Sequence, residues 1–324
     1  MLKSAVLYNF NDILTPLYST FDQRMPTDIV EKDAKKKPDC VITWTDYTPD
    51  MKMITISALQ QGIPTFMVQH GRRAMRDYWL NITEPSTVCT FVWGKQDYLD
   101  AIHGGWHKYR VYRVGAPWFA YRPEKQEEKG TVIFDVPHWN EDIKEAHGVW
   151  KELQKIKGIR PIAKLIQPSH QDRNHYEGEQ LLTYRGEPGH IQATYNLLSR
   201  ASAVVTMMDG TLELMAHSLG VPVIHVKGFK HRKLEGTWQG VEDVLPGKGS
   251  VVAEMGGLEK TLHMVLENPD IKKEEAIAKL LDEAGDPDTD SPTSSITNII
   301  GRLVDIYKES GHNPLNMFDK KAYE

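Results

Sequence analysis

The sequence is short of most features that mark a secreted, membrane-bound or metal-dependent protein. Cysteine is nearly absent: 324 residues hold two, Cys40 and Cys89, too few for a disulfide framework. Each opens an apolar run, so both read as small buried hydrophobes, and a reducing cytoplasm is the expected compartment. No apolar run nears the ~18 residues that a membrane helix needs. The N-terminal apolar stretch is too short for a signal peptide, with Asn11 and Asp12 close behind. The sequence also lacks an Asp-x-Asp motif where a metal site is expected. Asp286-Pro-Asp288 and Asp288-Thr-Asp290 lie in a turn-rich connector and read as turn chemistry. His103 and His107 have metal-ligand spacing, but Gly104 and Gly105 between them favour a loop over a rigid helix. The expectation is no metal.

Strong charge of either sign is missing too. The net charge is −5, and residues 1–118 hold 14 Lys/Arg against 12 Asp/Glu, the remainder 25 against 32. This argues against a broad basic field for nucleic acid, while leaving room for one local patch. Short internal repeats and low-complexity tracts are absent.

What is present is alternation. The most informative stretch, 203–226, reads as a complete βαβ unit. Ala203 to Met208 is a short apolar run suited to a strand buried on both faces. Asp209-Gly210-Thr211 is a turn with a capping residue and a glycine. Leu212, Met215, Ala216 and Leu219 share one helix face. Gly220 ends the helix, Pro222 cannot continue it, and a second buried strand follows. A helix N-terminus at the carboxyl edge of a sheet presents backbone N–H groups to phosphate; a βαβ unit without a ligand is the other reading.

The same alternation runs through the chain. Strands are expected at 4–10, 39–44, 65–69, 88–93 and 109–114, with helices at 51–61 and 95–102. Residues 118–130 are charged and contain Pro123, a linker by composition. Beyond it come strands at 131–136, 161–166, 180–184, 203–208, 221–226 and 251–254, with helices at 141–157, 191–200 and 257–268. A terminal helix spans 294–310. Strands alternating with helices predict parallel, doubly wound sheets. The expected domains are therefore 1–118, a linker 119–130, 131–293, and a terminal helix and tail, 294–324, packing back towards the first domain.

Two such α/β domains facing a cleft resemble the GT-B architecture of nucleotide-sugar glycosyltransferases and non-hydrolysing UDP-N-acetylglucosamine 2-epimerases. The detailed resemblance is to bacterial surface-polysaccharide and glycerophosphotransferase-like members. Their pattern G-x-P-x-x-x-x-Q/W-H-G is matched by Gly62-Ile-Pro-Thr-Phe-Met-Val-Gln-His-Gly71, and their K-x-H-P strand end, loosely, by Lys164-Leu-Ile-Gln-Pro-Ser-His170. Gly210-Thr211 and Gly220-Val-Pro-Val-Ile224 match their second-domain phosphate unit, and the Asp/Gly-rich turn before the last helix is matched by 288–295. The resemblance covers most of the chain through the order of motifs that are each weak.

The resemblance implies a donor site in the second domain. Gly210 and Thr211 would take the diphosphate, aided by Lys164 or His170, and the loop of His190 and Ile191 would pack on the nucleobase. Many of these enzymes hold the ribose with an acid five residues before the helix-ending glycine, where Met215 stands here. Glu213, at i, i+4 from His217, either takes that role from half a turn earlier or is a surface charge. It also implies no cofactor beyond the nucleotide sugar, with a uridine donor expected.

Glycosyl transfer further needs a base for the acceptor hydroxyl. His70, closing a buried strand, has the right pKa class, and strand capping is its alternative use. Asp46 is the second candidate, with an Asx turn as its alternative. Arg72, Arg73 and Arg76 can grip an anionic acceptor with their guanidinium forks, or form a solvated face. A glycan, a lipid-linked sugar or DNA with a hydroxymethylated base would all suit such a patch. The expected function is metal-independent transfer of a sugar from a nucleotide donor to an acceptor hydroxyl. The alternatives are a virus-encoded DNA glycosyltransferase, a 2-epimerase of the same fold, and a non-catalytic nucleotide-binding module. Oligomeric state is not legible.

Overall fold

The computed structural model describes residues 4–8, 22–23, 38–43, 49–69, 87–137, 143–167, 173–184, 189–207, 210–227, 249–254, 256–288 and 291–311. The first elements are β1 (Ser4–Tyr8), β2 (Asp22–Gln23), β3 (Cys40–Thr43), α1 (Pro49–Gln60), β4 (Thr65–Val68), β5 (Cys89–Val92), α2 (Lys95–His103) and β6 (Val111–Arg113). Then come β7 (Thr131–Asp135), α3 (Ile143–Leu153), β8 (Arg160–Gln167), β9 (Glu179–Tyr184), α4 (His190–Ser199), β10 (Ala203–Thr206) and α5 (Thr211–Ser218). The last are β11 (Val223–Val226), β12 (Val251–Ala253), α6 (Leu258–Glu267), α7 (Lys273–Glu283) and α8 (Pro292–Glu309). Two compact units result: Met1–Ala120 with Asp282–Glu324, and Tyr121–Leu281.

The first unit holds a sheet of order β2-β1-β3-β4-β5-β6, every neighbouring pair parallel. Its central strands, β3, β4 and β5, are buried at every residue, as parallel strands covered on both faces must be. Ile42, Phe66, Val68 and Phe91 form one core with Ile296, Ile300, Leu303, Val304 and Tyr307 of α8. Burial of each of those aliphatic side chains of α8 contributes roughly 1.5–3 kcal/mol. Val41 packs on Ile54 and Ala58 of α1, and Met67 and Val92 pack on Ala101 of α2. Cys40 and Cys89 are free and fully buried, and burial pushes both thiols well up. That removes the reactive thiolate.

Glycine is required where the chain returns to this unit. A Cβ on Gly94 would collide with the backbone of Asp282 and Glu283. The same return is pinned by a hydrogen bond from the Ala116 N–H to the Ala284 carbonyl, 2.8 Å.

The second unit has the order β12-β11-β10-β7-β8-β9, again all parallel. Val132, Phe134, Ala163, Leu165, Val205 and Ile224 pack on Val149 and Trp150 of α3 and Leu258 and Leu262 of α6. By the two-residue alternation of a strand, Ile133, Ile162, Val204 and Val223 take the opposite face, all buried. There α4 contacts β9, and α5 contacts β10 and β11.

Several expected boundaries shift. The division between the units falls at 281/282, within α7 and earlier than the expected 293. The stretch expected as a linker is docked: Trp118 and Phe119 are buried in a 3₁₀ turn, Pro117–Tyr121, because indole and phenyl area outweighs the charge beyond it. Its remainder is tied by N–H groups of Gln126 and Glu128 to the carbonyls of Ser199 and Arg200. The expected strand at 109–114 begins as a 3₁₀ turn, Lys108–Arg110. The helix α7 was not foreseen, since Ile277 and Leu281 stay exposed and blur its apolar face.

Candidate functional site

Counted from its own first strand, β7, the second sheet runs 6-5-4-1-2-3, the Rossmann order. Its direction of winding reverses between β7 and β10. Ligands of open α/β sheets lie outside the carboxyl ends of the strands at such a point. At that edge Thr206, Asp135 and Lys164 are paired neighbours across β10, β7 and β8, and His225 of β11 continues the row. Residues in register share a face, so these side chains lie on the side of α4 and α5. Lys164 is 3 % exposed and its Nζ stands 3.5 Å from Asp135 Oδ1. A buried ammonium needs such a partner.

The loop after β10 leads into α5, whose N-cap is Gly210 in extended backbone. Glycine has no capping side chain, and among the described residues no side-chain hydrogen bond caps this helix; Asp209 lies outside them. A Cβ at Gly210 would meet nothing within 4 Å, so the position is open on the side that a side chain would fill. Thr211 follows, half-buried. The helix α4 opens on Gly189 in left-handed backbone (φ 97°), also without a side-chain cap. His190 is half-buried and its carbonyl accepts from Thr194, while Ile191 is buried. Ile191 therefore has its backbone, not its side chain, to offer a nucleobase.

Glu213 is neither a surface charge nor open to solvent. It is 3 % exposed, and its Oε1 accepts from Lys279 Nζ at 2.8 Å and from the Ser250 hydroxyl. His217 Nε2 lies 3.6 Å from the same oxygen. Met215, at the position where the ribose acid of similar enzymes stands, is buried. Lys279 comes from α7 and Ser250 from the residue before β12, separations that no local pattern reveals.

At the carboxyl edge of the first sheet the residue after β4 is Gln69, fully buried. Its Nε2 donates to Asp97 Oδ2 at 2.8 Å, and its Oε1 accepts from the Trp93 N–H at 2.8 Å. The Trp93 indole N–H donates to the Gln69 carbonyl at 2.9 Å. Asp97 stands in the first turn of α2, where a carboxylate is favoured by the helix dipole. Three hydrogen bonds thus hold Gln69 in place. His70, Asp46, Arg72, Arg73, Arg76 and His170 lie outside the described residues.

The structure brings Lys164, Gly210, Thr211, His190 and Ile191 to the carboxyl edge of the second sheet and adds Asp135 there; Lys279 and Ser250 bind Glu213 of α5, and Gln69 and Asp97 belong to the first sheet. Of these additions only Asp135 carried a signal, a carboxylate closing an apolar strand. Among the described residues no group of three or more His, Cys, Asp and Glu is placed to hold a metal ion. His103 ends α2, and both it and His107 are exposed. No described helix is long and apolar enough to cross a membrane.

Two parallel-sheet Rossmann-like domains in one chain, the last helix returning to the first, define the GT-B fold. Solved structures of that fold match nearly the whole chain. The wall teichoic acid polymerase TagF, studied with CDPG, is similar at 13 % identity and a TM-score of 0.63, covering 95 % of this chain and 90 % of its own. UDP-GlcNAc 2-epimerase from Neisseria meningitidis, bound to UDP-GlcNAc, gives 13 % and 0.57, covering 93 % and 99 %. MnaA of S. aureus with UDP gives 13 % and 0.59, covering 94 % and 97 %. No family model and no curated protein matches the sequence.

Proposed function

We propose that the protein is a glycosyltransferase that takes a nucleotide-activated sugar, with a uridine nucleotide, on its second domain and transfers the sugar to an acceptor hydroxyl. The observation that carries this reading is the glycine-led N-terminus of α5 at the switch point of a Rossmann sheet, with buried Lys164 on the same face. Helix N–H groups and a cation there can meet the charge that grows on a leaving diphosphate, which is the main demand of the reaction. Gly210 and Thr211 take the diphosphate, Lys164 and His170 assist, and the backbone at His190 and Ile191 borders the base. His70, or failing it Asp46, accepts the acceptor proton, and Arg72, Arg73 and Arg76 hold an acidic glycan, a lipid-linked sugar or hydroxymethylated DNA. The reaction runs without metal or further cofactor, in the cytoplasm.

A 2-epimerase is the second reading, favoured by a likeness that spans nearly the full length of both chains. The decisive experiment is a thermal-shift panel of UDP, CDP and GDP with their sugars, followed by NMR of the bound sugar nucleotide. A ligand at 100-fold its Kd adds about 2.7 kcal/mol. A shift with UDP and slow release of free UDP supports transfer. Inversion at the sugar's second carbon with the diphosphate intact supports epimerisation. No shift with any nucleotide removes both.

A further inference from the structure

We infer that Asp135 is a positioning residue of the donor site: its carboxylate keeps the Lys164 ammonium in place at the carboxyl edge of the second sheet, for the diphosphate. The inference rests on the donor reading above. Lysine is almost never buried unless it is paired, and a parallel strand covered on both faces is ordinarily apolar. Lys164 nevertheless stands inside β8, in register with Asp135 of β7 on one side and Leu181 of β9 on the other. The Val136 N–H donates to the Lys164 carbonyl at 3.1 Å. Both main chains are thus fixed by the ladder, and the two side chains start from adjacent places on one face.

The pairing is open in two respects. Nζ and Oδ1 are 3.5 Å apart, longer than the about 2.7–2.9 Å of a charge-assisted hydrogen bond. An ammonium has three donors, so one contact of this length leaves it able to bond an incoming anion. Asp135 closes β7 and is the more exposed member of the pair, 13 % of its side chain against 3 %. A carboxylate so close to a diphosphate would repel it, so its presence calls for a use. Without it Lys164 would be a buried cation lacking a counter-charge, a state relieved by release of the proton. The neutral amine left behind has no charge to offer a phosphate. Asp135 therefore acts through Lys164 and touches no ligand. Among the described residues the other titratable groups on the elements of this face are His225 of β11, His190 and Tyr195 of α4, and Glu213 and His217 of α5. Arg160 and Glu179 bond each other at the far end of β8 and β9.

The test is titration of UDP and uridine against the full chain by calorimetry, from about pH 7 to about pH 9, above the titration of histidine and of a terminal phosphate. The parent should bind UDP about equally across this window. Asp135→Asn keeps the shape and removes the charge; its UDP affinity should fall about tenfold as the pH rises, with uridine unchanged. Adding Lys164→Arg, whose guanidinium stays charged, should flatten the profile again. Adding Lys164→Met instead should leave weak binding without a slope, which assigns the slope to Lys164 and to no histidine. An Asp135→Asn profile as flat as the parent's, UDP bound tighter than by the parent at every pH, or a slope that survives Lys164→Met overturns the inference. Circular dichroism checks folding. Should Asp135→Asn not fold, Asp135→Glu keeps the charge and moves it by one methylene: UDP should weaken about threefold with a flat profile, and parent affinity there overturns the inference. A parent protein that binds neither UDP nor uridine fails the donor reading itself, an outcome distinct from failure of the Asp135 inference.

Discussion

The two sheets have the same number of parallel strands but finish their carboxyl edges differently. At the end of β4 a neutral carboxamide does the tying: Gln69 links β4, the Trp93 backbone and the first turn of α2. In the second unit two buried ion pairs stand out, Lys164 with Asp135 at the carboxyl edge and Lys279 with Glu213 of α5. A carboxamide fixes a backbone at small electrostatic cost, whereas each buried ion carries a desolvation cost of several kcal/mol. On the function proposed above, Lys164 at the switch point would face a charged ligand. The first edge holds its buried carboxylate, Asp97, with a carboxamide, and the second holds Asp135 with a lysine.

Substitutions at three positions test this contrast, in falling order of effect. His70→Ala should lower kcat by roughly 10²–10⁴, about 3–5 kcal/mol of barrier, while UDP affinity stays at the parent value. His70→Asn should be nearly as slow, since it keeps a hydrogen bond without basicity. An asparagine variant of near-parent kcat, in steady-state assays, would move the base to Asp46.

Gln69→Leu keeps the volume and removes the lock, leaving the Trp93 N–H and the Asp97 carboxylate each short of a buried partner. The expected loss is about 3 kcal/mol in urea denaturation, again without change in UDP affinity. Weaker UDP binding would mean that this edge too serves the donor.

Gly210→Leu is the smallest in energy. Its φ of −139° suits any residue, and an added Cβ meets no described atom within 4 Å, so the melting temperature should hold. UDP affinity should fall about tenfold, or about 1.4 kcal/mol, because the leucine occupies the space of the phosphate. Unchanged affinity in calorimetry would place the phosphate elsewhere.

Much of the fold was legible because its signals are local. The runs around Ile42, Phe66 and Phe91 announce buried strands through unbroken apolar character, and Gly220-Val-Pro222 announces a helix end. The miss at α7 has a physical cause: a helix that leaves Ile277 and Leu281 exposed lacks the one-sided pattern from which a helix is read. The linker failed for the opposite reason, its charged composition hiding the buried Trp118 and Phe119 at its start. In the candidate site, Gly210 and Lys164 were legible as a turn and a strand-borne cation. Glu213 was legible as an acid in the first turn of α5, but its partner Lys279 was not.

By itself the sequence determined the parallel α/β character of both sheets, the helix that opens at Gly210, and the near-absence of reactive thiol. All of these follow from residue type and short-range spacing. Only the tertiary structure decided the order of the strands, and with it the switch point between β7 and β10 at which the candidate site lies. It also decided that α8 returns to the first sheet, and that Glu213 is neutralised by a lysine 66 residues away. Periodicity states which face of an element is buried and is silent about what covers it. The partners across a core are selected by packing and by the cost of leaving a buried charge alone, and those are properties of the folded chain as a whole.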